Sequence, residues 1–258
     1  MLHRQESARL VVITQPTHSW IAGCIARVWG EQFGFFAPRE EVCLAAEQHD
    51  IGWVVWENAP TLNFKTGYPH NFTELPTEIH TQIWTGAKQL ALPFGRYATL
   101  LVSLHGTGLF ERFRNWQESP ESSRLVKAYL EQEYAFQEQL IANLKSDSHY
   151  ASYATPEIID RNRSLVATWD MLSLTLCMGL REERQFHQVP TASGEITLTL
   201  TPADNDIIKV SPWVFEQKEV TLVYEGRLLQ EKFADETAMR RALENATWVS
   251  ITNRLIPA

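Results

Sequence analysis

Residues 164–180 read SLVATWDMLSLTLCMGL, and Asp170 is the single charged side chain in the run. A helix opens ahead of it at Thr155-Pro156-Glu157, a capping residue followed by proline and an acid in the first turn, and the spacing carries it to Gly179. Side chains this apolar belong in a core. A carboxylate buried among them is costly unless it is paired, hydrogen-bonded or bound to a metal. A helix cap or a salt bridge to Arg163 would each explain Asp170 without a metal, so the residue has to be weighed with the other polar residues of the chain.

Upstream the pattern is helical back to about residue 16. Trp20, Ile21, Cys24, Ile25, Val28 and Trp29 recur at three-to-four spacing. A second helix opens at Pro38, with Glu40 and Glu41 in its first turn, and continues through Val42, Ala45, Ala46 and His49. Further helices are predicted over 77–91, 96–112 and 120–145, the last with Val126, Leu130, Leu140, Ile141 and Leu144 along one side. Residues 58–75, which hold Pro60, Gly67 and Pro69, read as a long loop of the kind that often carries function.

The histidines fall on these helices. His105 sits in the uncharged run from Tyr97 to Phe110, His80 follows Ile79 and precedes Ile83 and Trp84, and His49 continues the line of Val42 and Ala46. With His18, Asp50 and Asp170, four histidines and two acids face inward on five predicted helices. One histidine on an apolar face is ordinarily a hydrogen-bonded core residue. Six such groups together are ligand types that suit Zn, Fe, Mn and other first-row ions, and helices position ligands by projecting them into a shared interior.

After about residue 185 the period changes from helical to alternating. Ile196, Leu198 and Leu200 alternate with threonine, 220–224 and 228–229 flank Glu225-Gly226 as a hairpin, and 247–252 form a last strand, with a short helix capped by Asp235 before it. Residues 9–14 read as one more buried strand, available to complete this sheet. The expectation is a mainly α fold. A helical metal-binding domain covers 1–184, and a small β-rich (α+β) C-terminal subdomain covers 185–258 and packs on it.

A chain of 258 residues can bury a full-sized core without covalent staples. A net charge of -8 and a pI near 5.5 disfavour binding a nucleic-acid duplex through its backbone. No apolar stretch of about 18 residues predicts a membrane span, and the first residues lack the basic start and apolar run of an export signal, so the expected location is the cytoplasm. Cys24, Cys43 and Cys177 lack CxxC spacing and read as small core residues. A phosphate-cradling glycine loop, a nucleophile elbow and an HExxH motif are all absent from the sequence.

The adjacent pair His49-Asp50 is the most specific feature. Neighbours on a helix point about 100° apart, so both can serve one ion only where a helix end faces it. With His18 one helix earlier and Asp170 late in the helical region, the order His, His-Asp, Asp resembles the metal-binding signature of the HD-domain superfamily over roughly residues 16–180. The resemblance implies an HD-domain-like helical bundle. It implies further that His18, His49, Asp50 and Asp170 hold a first metal, that Asp50 bridges to a second, and that His80 and His105 complete the second site. Asp50, His80 and His105 then stand closest to the chemistry. Two such ions activate water and neutralise charge on a phosphoryl group.

Many two-metal HD proteins carry lysine directly after His-Asp-x-Gly, and here that residue is Trp53. An anionic substrate then needs another cation. Lys65 on the long loop and Arg163 are candidates, with His70 on the loop and Trp53 as further substrate contacts. Three readings follow: a metal-dependent phosphohydrolase acting on a small phosphate ester or nucleotide-like molecule, a di-iron oxygenase similar to inositol oxygenase, or a non-catalytic metal- or ligand-binding module. Each implies one or two divalent ions, drawn from Fe, Mn, Zn, Ni and Mg. Each implies a small-molecule ligand and leaves homo-oligomerisation open.

Overall fold

Helix ends are set by local chemistry throughout the chain. The computed structural model describes residues 1–6, 9–33, 36–204 and 206–258. Strands Leu2–Glu6 (β1) and Arg9–Ile13 (β2) pair antiparallel and lead into helix Gln15–Arg27 (α1), whose N-cap Thr14 accepts a bond from the Thr17 amide. Helices Arg39–Gln48 (α2) and Trp53–Glu57 (α3) follow, separated by the turn at His49–Gly52. The long loop contains a two-residue ribbon, Leu62–Asn63 (β3) with Tyr68–Pro69 (β4). Helices Thr77–Ala91 (α4), Arg96–Arg112 (α5), Pro120–Lys145 (α6) and Pro156–Met178 (α7) stand where the apolar periodicity and caps place them. Thr155 caps α7 with Pro156 in its first turn, and Gly179 ends it at a positive φ of 88°, a conformation glycine takes without strain.

The rest of the chain is a sheet. Strands Arg184–Thr191 (β5), Gly194–Pro202 (β6), Ile207–Ser211 (β7) and Val220–Leu229 (β8) precede helix Glu236–Glu244 (α8) and strand Thr247–Pro257 (β9). Seven strands run in the order β1-β2-β8-β9-β7-β6-β5, antiparallel except for the β7–β9 pair. The expectation of a mainly α, HD-domain-like bundle is therefore overturned. Helix accounts for 53% of residues and strand for 23%, and the fold is α+β with a large sheet. The N-terminal strands join that sheet through Leu10 opposite Leu229 and Val12 opposite Arg227.

A second correction lies inside β8. Glu225-Gly226 is the middle of a ten-residue strand, not the turn of a hairpin. A Cβ on Gly226 would run into Val11 and press on Ile13, so the glycine is there to let β2 approach its neighbour.

One apolar cluster joins sheet and helices, from Leu2, Val11 and Ile13 through Trp29 and Trp169 to Leu222 and Leu255. Trp169 on α7 is fully buried, edge-on to Trp29 at 5.8 Å and to Phe36 at 5.1 Å between ring centroids. Burying a side chain of this size removes enough apolar surface to contribute on the order of 3 kcal/mol. Cys43 and Cys177 are core residues, whereas Cys24 is half-buried. Among the described residues, no helix is long and apolar enough to cross a membrane. The packing of α1, α2, α5 and α7 on one another brings one ligand-bearing segment from each to a common point.

Candidate metal centre

The turn between α2 and α3 does what a continuous helix could not. Bonds of the i→i+3 kind, from Ile51 N to Gln48 O and from Trp53 N to Asp50 O, tighten the chain at His49–Gly52. His49 and Asp50 both point inward and are buried, at 0% and 4% exposure. Gly52 lets α4 come close, since a Cβ there would stand 2.5 Å from the Ile83 carbonyl oxygen.

Five of the six expected ligands converge. His18 from α1 brings Nε2 to 2.7 Å from Asp50 Oδ2. His49 Nε2 lies 3.8 Å from Asp50 Oδ2 and 3.4 Å from Asp170 Oδ1, and His105 Nε2 from α5 lies 3.9 Å from Asp170 Oδ2. Two donor groups result among the described residues, His18-His49-Asp50 and His49-His105-Asp170, each with ligand atoms within 4.8 Å of one another and sharing His49.

The charges follow from burial and contact. Burial works against the His49 imidazolium, but the carboxylates of Asp50 and Asp170 and the Ala46 carbonyl outweigh it and hold its pKa at about 9. Burial and the neighbouring His49 push His105 down to about 4, so it is neutral. For Asp170 and Asp50 burial favours the acid, yet the surrounding imidazoles prevail and keep both pKa values below the usual carboxylate range. Without a metal His49 is thus an imidazolium between two carboxylates, and a metal there would displace its Nε2 proton, since neutral imidazole and ionised carboxylate are the forms that bind.

The residues fit a cation on one observation above the rest. His49 Nδ1 lies 2.7 Å from the Ala46 carbonyl, which can only accept, so Nδ1 carries the proton. Nε2 then faces the cluster fully buried and without a hydrogen-bond partner, because Asp170 Oδ1 at 3.4 Å is out of line for one. An imidazole pinned through one nitrogen, with the other aimed at two carboxylates, is the arrangement typical of metal-ligating histidines.

The other expected site residues lie elsewhere. His80 is half-buried, with Nε2 2.9 Å from the Phe72 carbonyl, and is in neither donor group. Trp53 is a core residue packed with Leu75 and Ile83 and edge-on to Trp56. Lys65 is exposed in the turn between β3 and β4, and His70 Nδ1 contacts Thr61 Oγ1 at 2.9 Å. Arg163 pairs with Glu111 and lies against Gly108, one turn beyond His105. Lys88, another cation on the helices, is occupied by the buried Glu133 at 2.6 Å.

Ser173 was not foreseen. It stands three residues after Asp170 on α7 with Oγ 2.9 Å from His18 Nδ1, and the only trace of it in the sequence is that spacing.

Fold and site together define an α+β protein with a buried three-histidine, two-aspartate cluster. Residues 1–231 match the family described as protein of unknown function (DUF3891), and the chain belongs to that family. No curated protein and no solved structure matches it.

Proposed function

We propose that this protein is a metal-dependent hydrolase of small phosphate esters, with His18, His49, Asp50, His105 and Asp170 holding a divalent ion. The unpartnered Nε2 of His49 carries the metal reading. The nitrogen and oxygen donors suit Zn, Mn, Fe or Ni, and their order along the chain is similar to the HD-superfamily motif. When bound, such an ion supplies Lewis acidity toward a phosphoryl oxygen and makes water more acidic.

The chain's own residues supply the rest. The ring of Trp84 lies 5.6 Å from that of His105 and holds the imidazole in place. His105, Gly108, Leu109 and Arg112 fall on one face of α5 at helical spacing, buried at His105 and open to solvent by Arg112. Arg112 stands at the outer end of that face, with Nη1 3.3 Å from Met171 Sδ, whereas Arg163 over Gly108 is already paired with Glu111. Arg112 supplies the positive charge for an anionic substrate that Trp53 cannot.

The test is elemental analysis joined to turnover of a generic aryl phosphodiester. The purified protein should carry Mn, Zn, Ni or Fe and cleave the ester, and His49→Ala and Asp170→Ala should each lose the metal. Full occupancy in both variants would overturn the metal reading. Bound metal without cleavage would overturn hydrolysis alone, and two irons with a mixed-valent paramagnetic signal would move the assignment to oxygen chemistry.

A further inference from the structure

We infer that Ser173 is a positioning residue for this centre: it fixes which nitrogen of His18 faces the metal position. The inference rests on the metal reading above. Ser173 is fully buried, and its Oγ sits 2.9 Å from His18 Nδ1 and donates to the Asp170 carbonyl oxygen at 2.9 Å. A hydroxyl has one hydrogen, and a serine within a helix commonly gives it to a carbonyl one turn back. With that hydrogen on Asp170 O, the oxygen faces His18 as an acceptor, so Nδ1 is the protonated nitrogen.

The consequence falls on the other side of the ring. Asp50 is ionised and can only accept, so the 2.7 Å contact is a hydrogen bond from His18 Nε2–H. A cation bound at this point would replace that one proton while Nδ1–H stays on Ser173. The exchange of proton for cation keeps Nε2, and not Nδ1, as the nitrogen that ligates. His49 shows the same pattern, its Nδ1 held by a carbonyl and its Nε2 turned inward. Without an acceptor at position 173 the ring is no longer held by Nδ1 and either nitrogen could face the cluster. Ser173 therefore sets which nitrogen of His18 meets the metal, and it ties α1 to α7 through the two ligand residues it touches.

The experiment uses zinc, alone, on the full chain. Zinc affinity is measured by chelator competition for the wild type, Ser173→Ala and Ser173→Thr, and melting temperatures are taken without metal. Long-range proton–nitrogen correlations of the zinc-loaded wild type read the His18 tautomer. We expect Ser173→Ala to bind zinc about 10- to 100-fold more weakly, the usual range for a lost ligand-orienting partner. Its metal-free melting temperature should fall modestly, because a buried N–H loses its acceptor, while threonine, which keeps the hydroxyl, should restore affinity. His18 should show Nδ1–H and a zinc-shifted Nε2. A Ser173→Ala protein that binds zinc as the wild type does, or a His18 that keeps Nε2–H in the zinc-loaded protein, overturns the inference and leaves the metal reading standing. A wild type that binds no metal overturns both.

Discussion

His80 meets Trp53 edge to face, 5.4 Å between ring centroids and 83° between planes, while its Nε2 contacts the Phe72 carbonyl. The histidine that the HD resemblance assigns to a second metal is thus engaged by the core beside α3. We expect one metal ion per chain, with His80→Ala retaining it in full. Elemental analysis settles the matter: two ions in the wild type and one in the variant would restore His80 as a ligand.

Lys88 should prove structural. Glu133, 1% exposed, receives Lys88 Nζ and Ser103 Oγ at 2.6 Å each, and Gln137 Nε2 donates to Ser103 Oγ at 2.9 Å. Removing one partner strands a buried charge, which costs about 3–5 kcal/mol. Lys88→Met should lower the melting temperature sharply and leave metal content alone, because Ser103 faces away from His105 on α5. A raised KM in a variant of unchanged stability would instead make Lys88 a substrate contact.

Two glycines should respond in opposite directions to alanine. At Gly52 a Cβ would stand 2.5 Å from the Ile83 carbonyl oxygen, so Gly52→Ala should cost about 1–3 kcal/mol and weaken metal binding by shifting Asp50. Gly86 is exposed within α4 with nothing near its absent side chain, so Gly86→Ala should add about 0.5–1 kcal/mol. Urea unfolding of both variants measures the contrast.

Stability should fall at alkaline pH, in part through Tyr97. Burial raises its phenol to about 12, against a smaller opposing effect of the Asn162 amide, and its hydroxyl donates to the Tyr153 carbonyl at 3.1 Å. The folded pKa lies above the unfolded value near 10. This contribution is therefore complete below about pH 10 and is lost as pH rises through about 12. Tyr97→Phe should cost about 1 kcal/mol at neutral pH and flatten the alkaline decline. An identical decline in the variant would remove Tyr97 as a cause.

The helices were legible because their apolar spacing is continuous and their ends carry proline, acids and capping hydroxyls, as at Thr155. Strand β1 was not. LHRQE carries no alternation of polar and apolar residues, and what holds it is pairing with β2. The glycine in β8 carried the wrong message for a physical reason: a turn and a close approach of two backbones both call for a missing Cβ, and only the partner strand tells them apart. At the site, Asp170 announced itself as a charge in an apolar run, and His49-Asp50 as neighbours at a helix end. Ser173 gave no such signal, since a buried serine that donates to its own helix is common and only its contact with His18 gives it meaning.

The ladder between β2 and β8 sets an order in time. At a synthesis rate of about 5–20 residues per second, the edge of β2 waits roughly 10 to 40 s for its partner at Arg227–Leu229 to be made. Until then the β1–β2 hairpin offers an open strand edge to any other chain nearby. His18 lies in the first turn of α1, five residues past the end of β2, so the centre is anchored on a hairpin that is incomplete while most of the protein is still emerging. Conditions that slow translation or crowd nascent chains should therefore lower the yield of protein able to bind metal before they alter the stability of what has already folded.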